Sequence, residues 1–148
     1  MQEEKQEDGR STMLRTTVDV RVRFSEVDSI RMVWHGSYVK YLEDAREEFG
    51  RRFGLAYTTY LREGLLAPVV DMHISYKGMA TIDDMLRVEI TYHRCRGSKL
   101  MFDYTITRPA DGTLIATAET TQLFTDLNGT LIASTPDFIE QWRAAHGM

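Results

Sequence analysis

The feature that most constrains the fold of this chain is a change in the spacing of its apolar residues. Over residues 37–53, apolar side chains recur every three or four positions, which is typical of one amphipathic helix of about five turns. This stripe consists of Tyr38, Leu42, Ala45, Phe49 and Phe53, and it is followed by a stop signal at Gly54. The pattern therefore predicts one long helix with a single buried face.

Strand patterns lie on both sides of this helix. The first covers residues 17–24, where Val18, Val20, Val22 and Phe24 form the apolar face. Further strands are predicted over residues 65–76, 87–94, 100–106 and 114–125, with turn signals at 77–78, 96–98, 109–112 and 128–129. Short helices are predicted over residues 57–62 and 136–145. Because short turns join successive strands, we predict an α+β fold, an antiparallel sheet packed on one long helix.

Length and composition limit the possible classes of protein. A chain of 148 residues supports one domain, which we assign to residues 14–148, after a charged and disordered tail over residues 1–13. The net charge of −4 disfavours a nucleic-acid partner, and no apolar run approaches the roughly 20 residues that span a bilayer. The tail lacks the apolar segment of a secretory signal, and the single Cys95 fits a reducing compartment, so the cytoplasm is the expected location.

An acid and a histidine lie directly before the long helix. Asp28 is predicted on a loop seven residues before His35, and the helix begins immediately afterwards. The start of a helix has unpaired N–H groups and a partial positive charge. A carboxylate facing it across a gap that admits a carbonyl group supplies a base or nucleophile, and the N–H groups stabilise an oxyanion. The alternatives are that Asp28 only shapes a turn and that His35 only fills the helix entrance.

The residues around this acid resemble a known family. The matching positions are Phe24, Glu26, Asp28, Val33, Trp34, His35, Tyr38, Tyr41, Leu42 and Glu43, with weaker matches at Tyr76, Asp83, Asp84, Ser98, Phe102, Thr135 and Pro136. They resemble the 4-hydroxybenzoyl-CoA thioesterase family of hotdog-fold acyl-CoA thioesterases, in particular the branch of the Tol-Pal-associated and long-chain acyl-CoA thioesterases. Over roughly residues 14–135 the resemblance implies the hotdog fold, a sheet wrapped around a central helix.

This resemblance implies hydrolysis of a fatty or aromatic acyl-CoA to a free acid and coenzyme A, within fatty acid metabolism and without a further cofactor. Asp28 matches the catalytic carboxylate, which acts as nucleophile or as general base on water. The backbone N–H of His35 matches the donor to the thioester oxygen, and the hydroxyl of Tyr38 can reach the pocket. Glu43 is a rival acid, because another hotdog branch uses a carboxylate from within the helix. Such proteins work as homodimers or homotetramers.

A basic turn is the predicted contact for coenzyme A. The residues assigned to it are Arg94, Arg96, Ser98 and Lys99. Cationic side chains suit the phosphates, although solvated surface charges have the same pattern. Relatives often carry a proline and a basic residue after Tyr76, where this chain has Met79 and Thr81. This departure shifts the expected phosphate contact towards the basic turn. No pair of residues shows the spacing of zinc ligands, so we expect no metal.

Two other functions remain open at this point, and a third is disfavoured. An acyl-carrier-protein thioesterase would use the same residues on a substrate delivered by a protein. A non-catalytic acyl-binding protein would retain the fold without turnover. A hotdog dehydratase needs a different arrangement of aspartate and histidine, which the sequence lacks.

Overall fold

A computed structural model describes residues 13–148, so the predicted tail lies outside the described residues except for Met13. The strands are β1 (Arg15–Arg21), β2 (Leu65–Leu66), β3 (Val69–Tyr76), β4 (Met85–His93), β5 (Lys99–Arg108), β6 (Thr113–Leu123) and β7 (Thr125–Asp126). The helices are α1 (Tyr38–Phe53), α2 (Tyr57–Arg62) and α3 (Asp137–Ala145). None of these helices is long and apolar enough to cross a bilayer.

The main sheet has five strands in the order β1-β4-β5-β6-β3, and every neighbouring pair is antiparallel. Strands β2 and β7 form a separate two-stranded pair. Strands β1 and β3 are therefore the edges of the sheet. Helix α1 packs on β1 and β4. The predicted α+β architecture is confirmed.

Helix α1 forms the predicted buried stripe. Its residues Tyr38, Leu42, Ala45 and Phe49 are buried, and Phe49 is only 1% exposed. The ring of Phe49 contacts aromatic rings from α1, β4, β5 and α3 at centroid distances of 4.7–6.5 Å. The helix ends where Gly54 adopts a φ of 82°, a left-handed conformation that glycine adopts without steric cost.

Two strand predictions need correction. Phe24 was expected on the buried face of the first strand, but it is 81% exposed. The strand ends at Arg21, and the chain then forms a 3-10 turn over Phe24–Glu26 that turns this side chain outwards. Residues 65–76 were expected to form one strand, but they are divided before Val69, because Pro68 has no N–H to donate to a ladder.

The position of Phe49 generates a test of the core. We expect Phe49→Ala to lower the free energy of unfolding by about 3–5 kcal/mol, because it leaves a cavity among four aromatic rings. Urea denaturation measures this change. The exposed Leu127 supplies the control, since Leu127→Ala should change stability by no more than about 0.5 kcal/mol. Equal effects of the two substitutions would contradict this description of the core.

Candidate active site

The segment between β1 and α1 contains a tight hairpin over residues 26–34, with Asp28 near its turn. The N–H of Asp28 donates to the carbonyl of Met32 at 2.8 Å, and Val27 and Val33 form an antiparallel bridge. The turn closes through Arg31, which adopts a φ of 66° and donates its N–H to the Asp28 carbonyl at 3.0 Å. Asp28 is thus fixed by the backbone on both sides rather than held on an open loop.

The carboxylate of Asp28 is oriented by this turn. Its Oδ1 accepts hydrogen bonds from the N–H groups of Ile30 at 3.0 Å and Met32 at 3.3 Å. These contacts are those of an aspartate that shapes a turn. Its Oδ2 has no hydrogen-bond partner within residues 13–148. Every fully buried side-chain N or O atom in the described residues has a partner, so this free oxygen is accessible to solvent or to a ligand.

Glu26 binds the hairpin to helix α1 through its side chain and its backbone. The side chain is 5% exposed, and its Oε1 accepts hydrogen bonds from the N–H of Arg23 at 2.8 Å and the hydroxyl of Tyr41 at 3.0 Å. The Glu26 carbonyl accepts from the N–H of Trp34 at 2.8 Å and the hydroxyl of Ser37 at 3.1 Å. Burial and the bond to the carboxylate raise the pKa of the Tyr41 hydroxyl, which therefore keeps its proton.

His35 lies at the start of the helical segment. A 3-10 turn over His35–Ser37 leads directly into α1. No acceptor within the described part of the chain binds the backbone N–H of His35 or of Gly36. Met32 pairs with Asp28 and His35 follows three residues later, so the backbones of Asp28 and His35 lie about 10 Å apart.

Tyr38 follows on the first turn of α1. Its ring is buried, and burial, with contributions from Tyr76 and Asp84, raises the pKa of Tyr38 to about 12. The hydroxyl therefore remains protonated near neutral pH and can donate a hydrogen bond, but it does not act as a base. No residue in the described range 13–148 forms a hydrogen bond with this hydroxyl.

The loop between β3 and β4, residues 77–84, packs beside the hairpin. The N–H of Val33 donates to the carbonyl of Ala80 at 2.9 Å. The guanidinium of Arg108 fixes this loop by donating to the carboxylate of Asp84 at 3.0 Å and to the carbonyl of Met79 at 2.9 Å. The loop is therefore fixed against the second arm of the hairpin.

The predicted coenzyme A contacts lie at the end of strand β4 that is far from the hairpin. The turn that carries Arg94, Arg96, Ser98 and Lys99 follows the last residue of β4, whereas the first residue of β4, Met85, pairs with Arg21 next to the hairpin. The nine residues of β4 separate the two ends by about 27 Å. The Ser98 hydroxyl donates to the carbonyl of Ile132 at 2.8 Å. Within one protomer, these four residues therefore lie far from Asp28.

Two cavities lie away from the hairpin. One of about 830 Å³ lies between α1, α2 and the sheet, and Glu43, the rival acid, is among its lining residues. The other, of about 450 Å³, is lined by residues that include Arg94, Arg96 and Arg143. Asp28 lines neither cavity. Of the two candidate acids, Glu43 therefore lines a cavity, whereas Asp28 lies on the hairpin that leads into the helix start.

Two contacts that fix this site were not expected from the sequence. Glu26 and Tyr41 were noted as members of the family motif, but their mutual hydrogen bond was not anticipated. Tyr76 was noted only as a weaker match, yet its hydroxyl donates to the His35 carbonyl at 2.8 Å. The position of Tyr41 on the first turns of the helix is typical of a core residue, but no local sequence signal pairs either tyrosine with its partner.

Comparisons with known proteins identify the family. The sequence profile of the Thioesterase-like superfamily matches residues 22–143, which is most of the chain, and the protein belongs to this superfamily. The acyl-CoA thioester hydrolase YbgC of Escherichia coli O6:H1 is 33% identical over 100 residues, 68% of this chain and 74% of the relative. The putative acyl-CoA thioesterase YneP of Bacillus subtilis is 30% identical over 92 residues, 62% of this chain and 67% of the relative.

Solved structures support the fold. A hypothetical protein from Thermus thermophilus superimposes with a TM-score of 0.78 at 28% identity, covering 88% of this chain and 98% of that one. Together with the superfamily match, this similarity confirms the hotdog fold. The match is to the superfamily, so the finer assignment to the 4-hydroxybenzoyl-CoA branch stays a prediction.

The buried contact between Glu26 and Tyr41 generates a test of how the site is held. We expect Tyr41→Phe to lower the free energy of unfolding by about 1–2 kcal/mol, because the buried carboxylate loses its hydroxyl donor. Thermal and urea unfolding measure the change. Tyr57, which is 69% exposed, provides the matched control Tyr57→Phe. A Tyr41→Phe protein as stable as this control would show that the contact does not hold the hairpin.

Proposed function

We propose that this protein hydrolyses acyl-CoA thioesters at the junction of the hairpin and helix α1, with Asp28 as the catalytic carboxylate. The reaction class follows from the superfamily and from the named relatives YbgC and YneP, and the protein is an acyl-CoA thioester hydrolase. The observation that carries the assignment of the site is the free Oδ2 of Asp28 on the hairpin whose second arm leads to the unpaired N–H groups of His35 and Gly36.

In this mechanism the thioester carbonyl oxygen accepts a hydrogen bond from the N–H of His35. As negative charge develops on that oxygen, the N–H and the partial positive charge of the helix start stabilise it. If Asp28 is a general base, it takes a proton from water while the water oxygen attacks the carbonyl carbon. The C–S bond then breaks, and the proton passes to the coenzyme A thiolate. The neutral Tyr38 hydroxyl is available as a further donor.

If Asp28 is instead a nucleophile, its Oδ2 forms an anhydride with the acyl group and releases the coenzyme A thiolate. Water then cleaves this anhydride to give the free acid. Single turnover in ¹⁸O-labelled water distinguishes the two routes, because attack of water on the carboxyl carbon of Asp28 leaves the label in the protein. Direct attack on the thioester places the label in the product acid.

We further propose that a second protomer completes the site, in a homodimer or a homotetramer. Apolar side chains surround the hairpin on the exposed surface, including Phe24, Ile30, Trp34, Met79 and Ile82, and strand β3 has a free edge. Patches and edges of this kind are typical of interfaces. Isologous antiparallel pairing of two β3 edges would bring the 94–99 turn of the partner subunit towards the hairpin end of this chain.

This assembly would give Arg94, Arg96, Ser98 and Lys99 a role across the interface. We propose that the cationic members of this set bind the phosphates of coenzyme A while the thioester lies at Asp28 of the other protomer. Arg96 has an exposed side chain and is one of the residues around the 450 Å³ cavity. Guanidinium groups form strong, charged hydrogen bonds with phosphate oxygens.

An acyl group carried by a protein is the alternative substrate, since the same carboxylate would serve. The fatty or aromatic nature of the acyl group and its place in fatty acid metabolism are also proposals. We propose the cytoplasm as the location, because Cys95 is a free thiol and a reducing compartment preserves it. Relative rates with coenzyme A and carrier-protein thioesters of the same acyl group decide between the two substrates.

The assignment of Asp28 generates the main activity test. We expect Asp28→Asn to lower kcat for a fatty acyl-CoA by about 10²-fold or more, because the amide is neither a base nor a nucleophile. Release of free thiol measures the rate. The matched control is Asp83→Asn, since Asp83 is an exposed aspartate on the neighbouring loop. Full activity of Asp28→Asn would remove Asp28 from the mechanism.

The basic turn generates a test of its own. We expect Arg96→Ala to raise KM for an acyl-CoA about tenfold, which corresponds to the loss of one charged hydrogen bond of about 1.5 kcal/mol. The kcat should not change, because the phosphates do not react. An N-acetylcysteamine thioester, which has no phosphates, should be cleaved equally well by the variant. Arg62→Ala on the exposed side of α2 is the control, and equal KM values for the two variants would contradict the assignment.

A further inference from the structure

The hydroxyl of Tyr76 reaches from the sheet to the start of α1. Tyr76 is the last residue of β3, and its hydroxyl donates to the backbone carbonyl of His35 at 2.8 Å. Its ring also packs against the ring of Tyr38 at a centroid distance of 5.4 Å. This contact joins the edge strand of the sheet to the peptide group at the helix start, across 41 positions of the sequence.

The carbonyl of His35 belongs to the same peptide group as the N–H of Gly36. A hydrogen bond to a carbonyl oxygen polarises its peptide group and strengthens the N–H as a donor. The N–H of Gly36 has no acceptor within residues 13–148. The hydroxyl of Tyr76 therefore acts on a peptide whose N–H is free to bind a ligand.

The ring of Trp34 restricts the other side of this peptide. A Cβ atom at Gly36 would lie 2.2 Å from the Trp34 ring, so the ring packs directly on the glycine backbone. Any larger residue at this position would displace the ring. The peptide is thus held between the Tyr76 hydroxyl at its carbonyl and an indole ring at its α-carbon.

We propose that Tyr76 is a positioning residue that orients and polarises the peptide between His35 and Gly36, and that the Gly36 N–H is a second donor to the thioester oxygen. This inference rests on the proposed function, because it assumes that the thioester oxygen binds at the helix start. Tyr76 does not touch the substrate in this scheme and acts through the peptide alone. The N–H groups of His35 and Gly36 then form a two-donor oxyanion site.

The first test is Tyr76→Phe in the full chain, which removes only the hydroxyl. Loss of a direct oxyanion donor lowers kcat by about 10²–10³-fold, so loss of an indirect polarising contact should lower it by about tenfold. KM should change by less than about twofold, because the contact matters most when charge develops on the oxygen. The control Tyr57→Phe should retain the parent kcat.

The second test measures polarisation of the bound thioester directly. An acyl-CoA labelled with ¹³C at the carbonyl is bound to Asp28→Asn, in which turnover is slow, and its ¹³C resonance is recorded. The resonance should lie further from that of free ligand in Asp28→Asn than in the double variant with Tyr76→Phe. A purely structural role for Tyr76 would alter thermal stability without this change in the bound carbonyl.

Site-specific 3-fluorotyrosine at position 76 extends the test to a protein that keeps the hydroxyl. The fluorinated phenol is a stronger donor, so the carbonyl resonance should move in the opposite direction. Unchanged resonances in both substituted proteins, or an unchanged kcat in Tyr76→Phe, would overturn the inference. Full activity of Asp28→Asn would instead overturn the proposed function, so the two failures are distinguishable.

Discussion

The hydrogen bonds of Glu26 are the constraint on which the rest of the site depends. A single buried residue binds both arms of the hairpin through its carboxylate and its carbonyl, and it also binds Ser37 and Tyr41 at the beginning of α1. Asp28 is carried by this hairpin, and His35 follows its second arm. The separation between a carboxylate and a helix start is therefore set by buried hydrogen bonds, which hold their geometry because an unsatisfied buried polar group is costly.

The position of the site within the fold follows from the same arrangement. Helix α1 is anchored at its far end by aromatic packing around Phe49, so its buried face is fixed by the core while its start remains at the surface. The second arm of the hairpin leads into that start, and the β3–β4 loop packs on the hairpin.

Much of this arrangement was predictable from the sequence, because it depends on local periodicity. The helix over Tyr38–Phe53 and the alternating strands β4 and β5 follow from apolar spacing, and the stop at Gly54 follows from its conformational freedom. The bonds from Tyr41 to Glu26 and from Tyr76 to His35 were not predictable, because tertiary packing creates them. Likewise, the distance from Asp28 to the 94–99 turn depends on the order of strands in the sheet, which the pattern of one strand does not contain.

The most direct measurement is a crystal structure of Asp28→Asn with a bound acyl-CoA. The account predicts that the thioester oxygen lies about 2.9 Å from the backbone nitrogen of His35, with the carbonyl carbon facing the side chain of residue 28. A thioester bound in the 830 Å³ cavity beside Glu43, away from the start of α1, would contradict it.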